Sequence, residues 1–170
     1  MNRKITVRPE TEQDVKRIEE ITVSAFADHP HSNQTEHLLV AGLRHQGALA
    51  LSLVAETGGH VVGHIAFSEV TINGEHLSWY GLAPLSVDPG FQNQGIGSEL
   101  MRAGLHAIRE MGARGCVLVG EPQFYGRFGF TSEKALTMKG VPPEYFLILS
   151  LDGSIPSGNV EHHKIFSEIG

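Results

Sequence analysis

An α/β (α+β) fold, one mixed and mostly antiparallel twisted sheet with helices on both faces, is what this sequence predicts from three observations. The first is a trio of apolar, strand-length runs, 48–56, 61–72 and 77–87, separated by Gly58-Gly59 and by Asn73-Gly74. Both dipeptides tolerate the positive φ that a two-residue hairpin turn needs, so the runs read as an antiparallel meander. The second is a change of period after Val87. From 98 to 111, Leu100, Gly104, Ala107, Ile108 and Met111 fall on one helical face, while Glu99, Arg102, His106 and Arg109 fall on another. The third is the return of short apolar runs at 116–119 and 145–151, with a short helical stretch at 122–128 between them. The order β-α-α-β-β-β-α-β-α-β follows.

Before the meander, Ile5-Thr6-Val7-Arg8 reads as a first strand ended by Pro9. Thr11 and Asp14 have the spacing of a helix start, and Val15, Ile18, Thr22, Ala25 and Phe26 recur at intervals of three and four. Asp28-His29-Pro30-His31-Ser32-Asn33 breaks that helix. A second one follows, with Leu38, Leu39, Gly42 and Leu43 as its less polar side. Gly112 stands where the helix ending at Met111 needs a cap. The stretch 160–166 offers a terminal strand. With no repeat, low-complexity tract or linker, residues 1–170 read as one domain.

Composition excludes several classes. The chain is 41% hydrophobic and 19% charged, a globular balance, and no apolar run approaches the ~20 residues that cross a bilayer. The start Met1-Asn2-Arg3-Lys4-Ile5-Thr6-Val7 meets Arg8-Pro9-Glu10 before any apolar signal core forms, so a cytoplasmic location is expected. A net charge of −6 argues against nonspecific nucleic-acid binding. The single cysteine, Cys116, lies in an apolar strand-like run and reads as a buried, inert hydrophobe.

The chemistry concentrates in Leu85-Ser86-Val87-Asp88-Pro89-Gly90-Phe91-Gln92-Asn93-Gln94-Gly95-Ile96-Gly97-Ser98, where a strand turns into a helix. Glycines there let an anion approach the backbone, and the N–H groups at the helix start then form a cradle for phosphate. A nucleoside-triphosphate loop would place Lys and then Ser or Thr after the last glycine, but Ser98-Glu99 follows Gly97. A dinucleotide fingerprint would need Gly or Ala at the position of Leu100, inside an alternating β-α-β chain. Both are rejected.

Val87-Asp88-Pro89 followed by Gln92-x-x-Gly95-x-Gly97-Ser98 resembles the acetyl-CoA pyrophosphate loop of the GNAT superfamily of N-acetyltransferases. Downstream, Phe124-Tyr125-Gly126-Arg127-Phe128-Gly129-Phe130 is similar to that superfamily's Phe-Tyr-x-x-x-Gly-Phe segment. Trp79-Tyr80-Gly81-Leu82-Ala83-Pro84-Leu85, Gly120-Glu121-Pro122 and Val160-Glu161-His162-His163 extend the resemblance to a bacterial subgroup called YhbS-like.

The resemblance implies a V-shaped splay between the fourth and fifth strands of the sheet, with acetyl-CoA as co-substrate. Pantetheine would pair with the backbone of Leu85, Ser86 and Val87. The pyrophosphate would rest on the amides of Gln92, Asn93, Gln94, Gly95, Ile96, Gly97 and Ser98. The Val87 N–H would donate to the oxyanion, and Tyr125 would protonate or hydrogen-bond the leaving thiolate. Gln92 stands where many relatives carry Arg. The implied partner is a small-molecule or peptide amine, and a homodimer through the C-terminal strand stays open. A non-catalytic acyl-CoA-binding or regulatory module, or a transferase for longer acyl groups, is the alternative.

No residue declares itself as the base. Glu69 is the tentative choice beside His64 and Glu36, but Glu69 and His64 belong on opposite faces of a regular strand. A water relay would need none of them. Trp79 and Tyr80 read as acceptor-pocket walls or as sheet core. Ten histidines without a cysteine or carboxylate cluster give no metal site: His60 and His64 lie on a strand, and adjacent His162 and His163 point apart. Residues 28–49 are expected to shape the acceptor pocket without naming the acceptor.

Overall fold

The computed structural model describes residues 4–30 and 32–169. Positions 1–3 of the stretch read for a signal, and His31 in the helix break, lie outside the described residues. Strand β1 (Thr6–Pro9) leads through a 3-10 turn (Glu12–Asp14) into α1 (Val15–Phe26) and α2 (Glu36–His45). Next come β2 (Leu51–Thr57), β3 (His60–Glu69), β4 (Thr71–Ile72), β5 (Trp79–Val87) and α3 (Ile96–Glu110). The chain continues through β6 (Gly115–Val119), α4 (Pro122–Tyr125), β7 (Leu136–Thr137), β8 (Phe146–Ser150), β9 (Gly158–Glu161) and α5 (Ile165–Ile169).

The main sheet has six strands in the order β1-β2-β3-β5-β6-β8. Every pairing in it is antiparallel except β5 with β6. Pro9 belongs to β1 rather than ending it, which an edge strand allows because a missing N–H there breaks no ladder. Gly58 and Gly59, at φ 57° and 80°, close the β2–β3 hairpin as expected.

Asn73-Gly74 also forms a tight turn, with Ile72 and Glu75 exchanging backbone hydrogen bonds of 2.9 and 3.0 Å. The strand it turns is β4, however, which leaves the main sheet and pairs with β9. A second sheet in the order β4-β9-β7 results, which strand-length patterns did not predict. Its strands β4 and β7 have two residues each, too few for any period to show. The expected terminal strand at 160–166 is in fact β9 followed by α5. Strand β9 sits between β4 and β7, each of which pairs with two of its four residues.

Three core clusters pack against the main sheet among the described residues, one of them joining the second sheet to β5, β6 and β8 through Trp79, Val117, Ile148 and Val160. On one face Phe67, Ile65 and Leu82 meet Ile96, Leu100, Met101 and Ile108 of α3. Phe67 lies so close to Gly104 that a Cβ there would stand 2.7 Å from its ring, which brings helix and sheet into direct contact. Met111, expected on this face, is 47% exposed, and Met101 takes its place in the core. On the other face α1 and α2 cover β2 and β3 through Ile18, Val40, Val54 and Val61. Here α2 is turned from its expected phase: Val40 and Leu43 are buried while Leu38 is 48% exposed. Its Gly42 faces Ile165, so α5 settles the rotation.

The parallel pair sets the functional geometry. Strands β5 and β6 are registered only from Trp79↔Gly115 to Gly81↔Val117. Beyond Gly81, β5 runs on to Val87 beside β3, and β6 runs on to Val119 beside β8. The V-shaped splay between the fourth and fifth strands of the sheet is therefore present. A bulge in β5 contributes, because Ile65 and Phe67 of β3 face Leu85 and Leu82, one residue further apart on β5. Pro84 lies in that bulge, where its missing N–H costs no ladder bond.

Candidate active site

At the open end of the split, Val87 passes into Asp88 and a 3-10 turn at Pro89–Phe91. Asp88 anchors the turn by accepting from the Gly90 N–H at 2.9 Å and from the Arg17 guanidinium at 2.6 Å. The Gly90 bond, against a smaller effect of burial, holds its carboxyl below the usual range, with Arg17 adding to it. Gly95 then adopts φ 82° and α3 begins at Ile96.

Among the described residues, no backbone oxygen accepts from the N–H groups of Gln92 through Ser98. Seven successive amides are thus left at the positive end of a helix of 15 residues, which is an anion cradle. Gln92 turns back, its side-chain amide donating to the Val87 carbonyl at 3.2 Å. Asp88 donates its own N–H to Val62 of β3 at 2.8 Å. By strand alternation the N–H groups of Val87 and Leu85 are directed the other way, into the split, while the Ser86 hydroxyl is buried on the α1 face.

Tyr125 ends α4 beside the same opening. Its ring occupies the space above Gly120 that any Cβ would fill, and it meets Phe124 edge-on at 4.9 Å. Its hydroxyl has no hydrogen-bond partner among the described residues. Burial, with the Cys116 sulfur adding to it, pushes the phenol up to about 12. Cys116 is completely buried, as expected.

Sequence reasoning missed Arg127. Its guanidinium donates to the Ser98 hydroxyl at 2.8 Å and lies over the rings of Phe124 and Phe128 at 5.0 and 5.5 Å. A cation thus stands at the first turn of α3 although Gln92 carries none. The signal was in view, since Arg127 is a variable position inside the Phe-Tyr-x-x-x-Gly-Phe segment.

The base candidates are dispersed. Glu69 shares a face with its strand partner Tyr80 and lies 3.1 Å from His76 Nδ1. His64 is wholly buried on the opposite face, with Nε2 2.7 Å from the Ser52 hydroxyl. Ser52 in turn donates to Glu10, which Arg44 grips at 2.8 and 3.0 Å. Burial pushes His64 down to about 4, with Glu10 working against it and Arg44 with it. The Ser32 hydroxyl shares its one proton between the two Glu36 carboxylate oxygens, at 2.8 and 2.6 Å. Glu36 borders a cleft of about 120 Å³ between α1 and α2 that Thr22, Phe26 and Gln34 also line. Trp79 is core, packed with Val117 and Ile148. His60 and His64 are on one strand but differently exposed, and His163 accepts the Ile165 N–H at 3.1 Å.

A sheet split at its one parallel pair, with open helix-start amides at the mouth, defines a GNAT-type fold. Comparison with known proteins agrees. The model of the acetyltransferase (GNAT) domain matches residues 49–132. The chain is 40% identical over 109 residues to the uncharacterized N-acetyltransferase YhbS of Escherichia coli K12, spanning 64% of this chain and 65% of that relative, a little under two thirds of its length. It is 36% identical to YjhQ of the same strain over 78% of this chain and 71% of the relative.

The structure of a GNAT family acetyltransferase from Brucella melitensis in complex with acetyl-CoA has a TM-score of 0.86 and 44% identity, over 96% of this chain and 98% of that one. Escherichia coli YhbS in complex with CoA has a TM-score of 0.88 and 33% identity, over 99% and 94%. The chain belongs to the GNAT acetyltransferase family.

Proposed function

We propose that this chain transfers the acetyl group of acetyl-CoA to a primary amine of a small molecule or peptide by direct attack. The observation that carries the reading is the run of open amides from Gln92 to Ser98 at the mouth of the split, with Tyr125 beside it. The pyrophosphate would rest on those amides, with Arg127 supplying the charge that Gln92 lacks. Pantetheine would lie along Leu85, Ser86 and Val87 as an added strand.

The neutral amine attacks the thioester carbonyl, and a carbon–nitrogen bond forms. The Val87 N–H steadies the developing oxyanion, an interaction of a kind worth ~3 kcal/mol. The carbon–sulfur bond then breaks and CoA leaves as its thiolate. A phenol pushed up to about 12 gives its proton to a thiolate of ordinary basicity only at a cost of about 5 kcal/mol. Tyr125 therefore acts as a hydrogen-bond donor to the thiolate, which leaves as the anion and is protonated by the buffered solvent once released. The reaction belongs in the cytoplasm, a compartment in keeping with one buried, unpaired cysteine.

Thiol release from acetyl-CoA is the test, measured across a panel of amines with mass spectrometry of the products. The expected result is acetylated amine from the wild type and a loss of about 10²-fold in kcat for Tyr125→Phe with CoA affinity retained. Tight CoA binding with no amine acetylated would identify a non-catalytic CoA-binding module instead. Longer acyl-CoAs in the same assay separate acetyl transfer from the transfer of larger groups.

A further inference from the structure

We propose that His162 takes the proton from the acceptor amine through its Nδ1, on the face of the split opposite Tyr125. The inference rests on the acetyl-transfer reading above and deepens it.

Position is the first support. Pairing of β9 with β4, Thr71↔Glu161, delivers the next residue, His162, to the closed end of the split. A Cβ on Gly81 would stand 2.7 Å from His162 Cε1 and 2.9 Å from Nδ1, so this edge of the ring faces Gly81. Gly81 is the last residue of β5 paired to β6. The second support is sidedness. Tyr80, one residue before, is the strand partner of Cys116 and packs against the α3-side core, as Tyr125 does, so Gly81 and the ring upon it belong to the other face. Thiolate and amine must separate in opposite directions as the acetyl group passes between them. The two faces of a split sheet provide that arrangement.

The third support is an unmet hydrogen-bonding demand. His162 Nδ1 is buried without a partner, and so are Ser68 Oγ, His64 Nδ1 and Ser86 Oγ. Ser68 is the strand partner of Gly81, and Ser86 that of His64, so these atoms form one row on one face of β3 and β5. Buried polar atoms are nearly always satisfied, so this row of orphans is a hydrogen-bonding demand that the folded chain leaves unmet. His162 differs from Glu69 and Glu36 in being both unpaired at its acceptor atom and held in place. Phe166 stacks on it at 4.0 Å and 10°, which fixes the plane of the ring. Burial alone pushes it down to about 4, with no charged group acting on it, so the imidazole is neutral near pH 7. With its proton on Nε2, Nδ1 is an acceptor. As the carbon–sulfur bond breaks, the attacking nitrogen becomes that of an N-protonated amide, a far stronger acid than an alkylammonium. Its proton passes to Nδ1, directly or through one water, and the imidazolium returns it to solvent.

The test uses full-length protein, acetyl-CoA and methylamine as the smallest primary amine, beside the amine panel. For His162→Ala and His162→Gln the expected result is a fall in kcat of about 10²-fold or more, with CoA dissociation constants within about twofold of wild type. Added imidazole should restore part of the His162→Ala rate, which a purely structural role would not allow. Unchanged kcat in folded His162→Gln overturns the proposal and leaves acetyl transfer standing. A wild type that binds CoA and acetylates no amine overturns both. Should neither variant fold, nitrogen-15 spectra of wild-type histidines decide. His162 neutral at about pH 6 and shifting on methylamine addition supports the role, and a silent or charged His162 refutes it.

Discussion

Gly95 and Gly97 stand close together in the cradle, and different forces keep them glycine. Gly95 has φ 82° with nothing within 4 Å of a would-be Cβ, so conformation alone restricts it. Gly97 has an ordinary φ, and its nearest neighbours would be Phe124 at 3.7 Å and Val87 at 3.9 Å, a comfortable fit. Nothing in the protein itself requires glycine there, and the space it leaves is the space a diphosphate would use. Gly95→Ala should cost about 1–2 kcal/mol of stability through backbone strain. Gly97→Ala should leave the urea midpoint nearly unchanged and weaken CoA binding tenfold or more by titration calorimetry. Equal effects on stability and binding in both variants would refute the distinction. Both glycines were legible in sequence because their spacing is local. Arg127 was not, since its value depends on α4 folding back over the first turn of α3.

The entry to α1 shows how one cap is built from distant parts. Asp14 accepts the Thr11 N–H at 2.7 Å and the Arg8 guanidinium at 2.8 Å, and it is nearly buried. The Arg8 bond is the main reason its carboxyl is lowered to about 2, burial opposing it and Thr11 assisting. A depressed carboxyl contributes stability that is present above the unfolded value of about 4 and disappears as pH falls toward 2. Asp14→Asn should therefore lose about 2 kcal/mol at neutral pH, measured by urea unfolding, and the gap to wild type should close near pH 2. At this scale the long elements were readable from periodicity. The phase of α2, the two-residue strands and the ending in α5 were not, because neighbours far along the chain decide them.

For the whole molecule, acid sensitivity follows from the polar atoms trapped against the sheet. His64 and His162 are each pushed to about 4 by burial, well below the unfolded value of about 6.5. Between those values the unfolded chain binds protons that the fold refuses, so stability is full above about pH 6.5 and falls as pH drops toward 4. The groups facing His64 are Glu10, which resists this, and Arg44, which reinforces it. Each histidine contributes a few kcal/mol to the fall. His64→Gln should flatten the slope of unfolding free energy against pH in this window by about one proton, and an unchanged slope would show that His64 is not buried neutral.

By itself the sequence determined the order of the long strands and helices and the glycine-containing loop that begins α3. Each depends on residues within a few positions of one another, and hydrophobic period, turn residues and glycine spacing report such local forces directly. Only the tertiary structure decided where the parallel pair stops and which faces of the sheet Tyr125 and His162 take. It also decided that a histidine 81 positions beyond Gly81 lies against it. Strand register and the path of β9 arise from packing between distant segments, and that packing leaves no periodic trace in the chain.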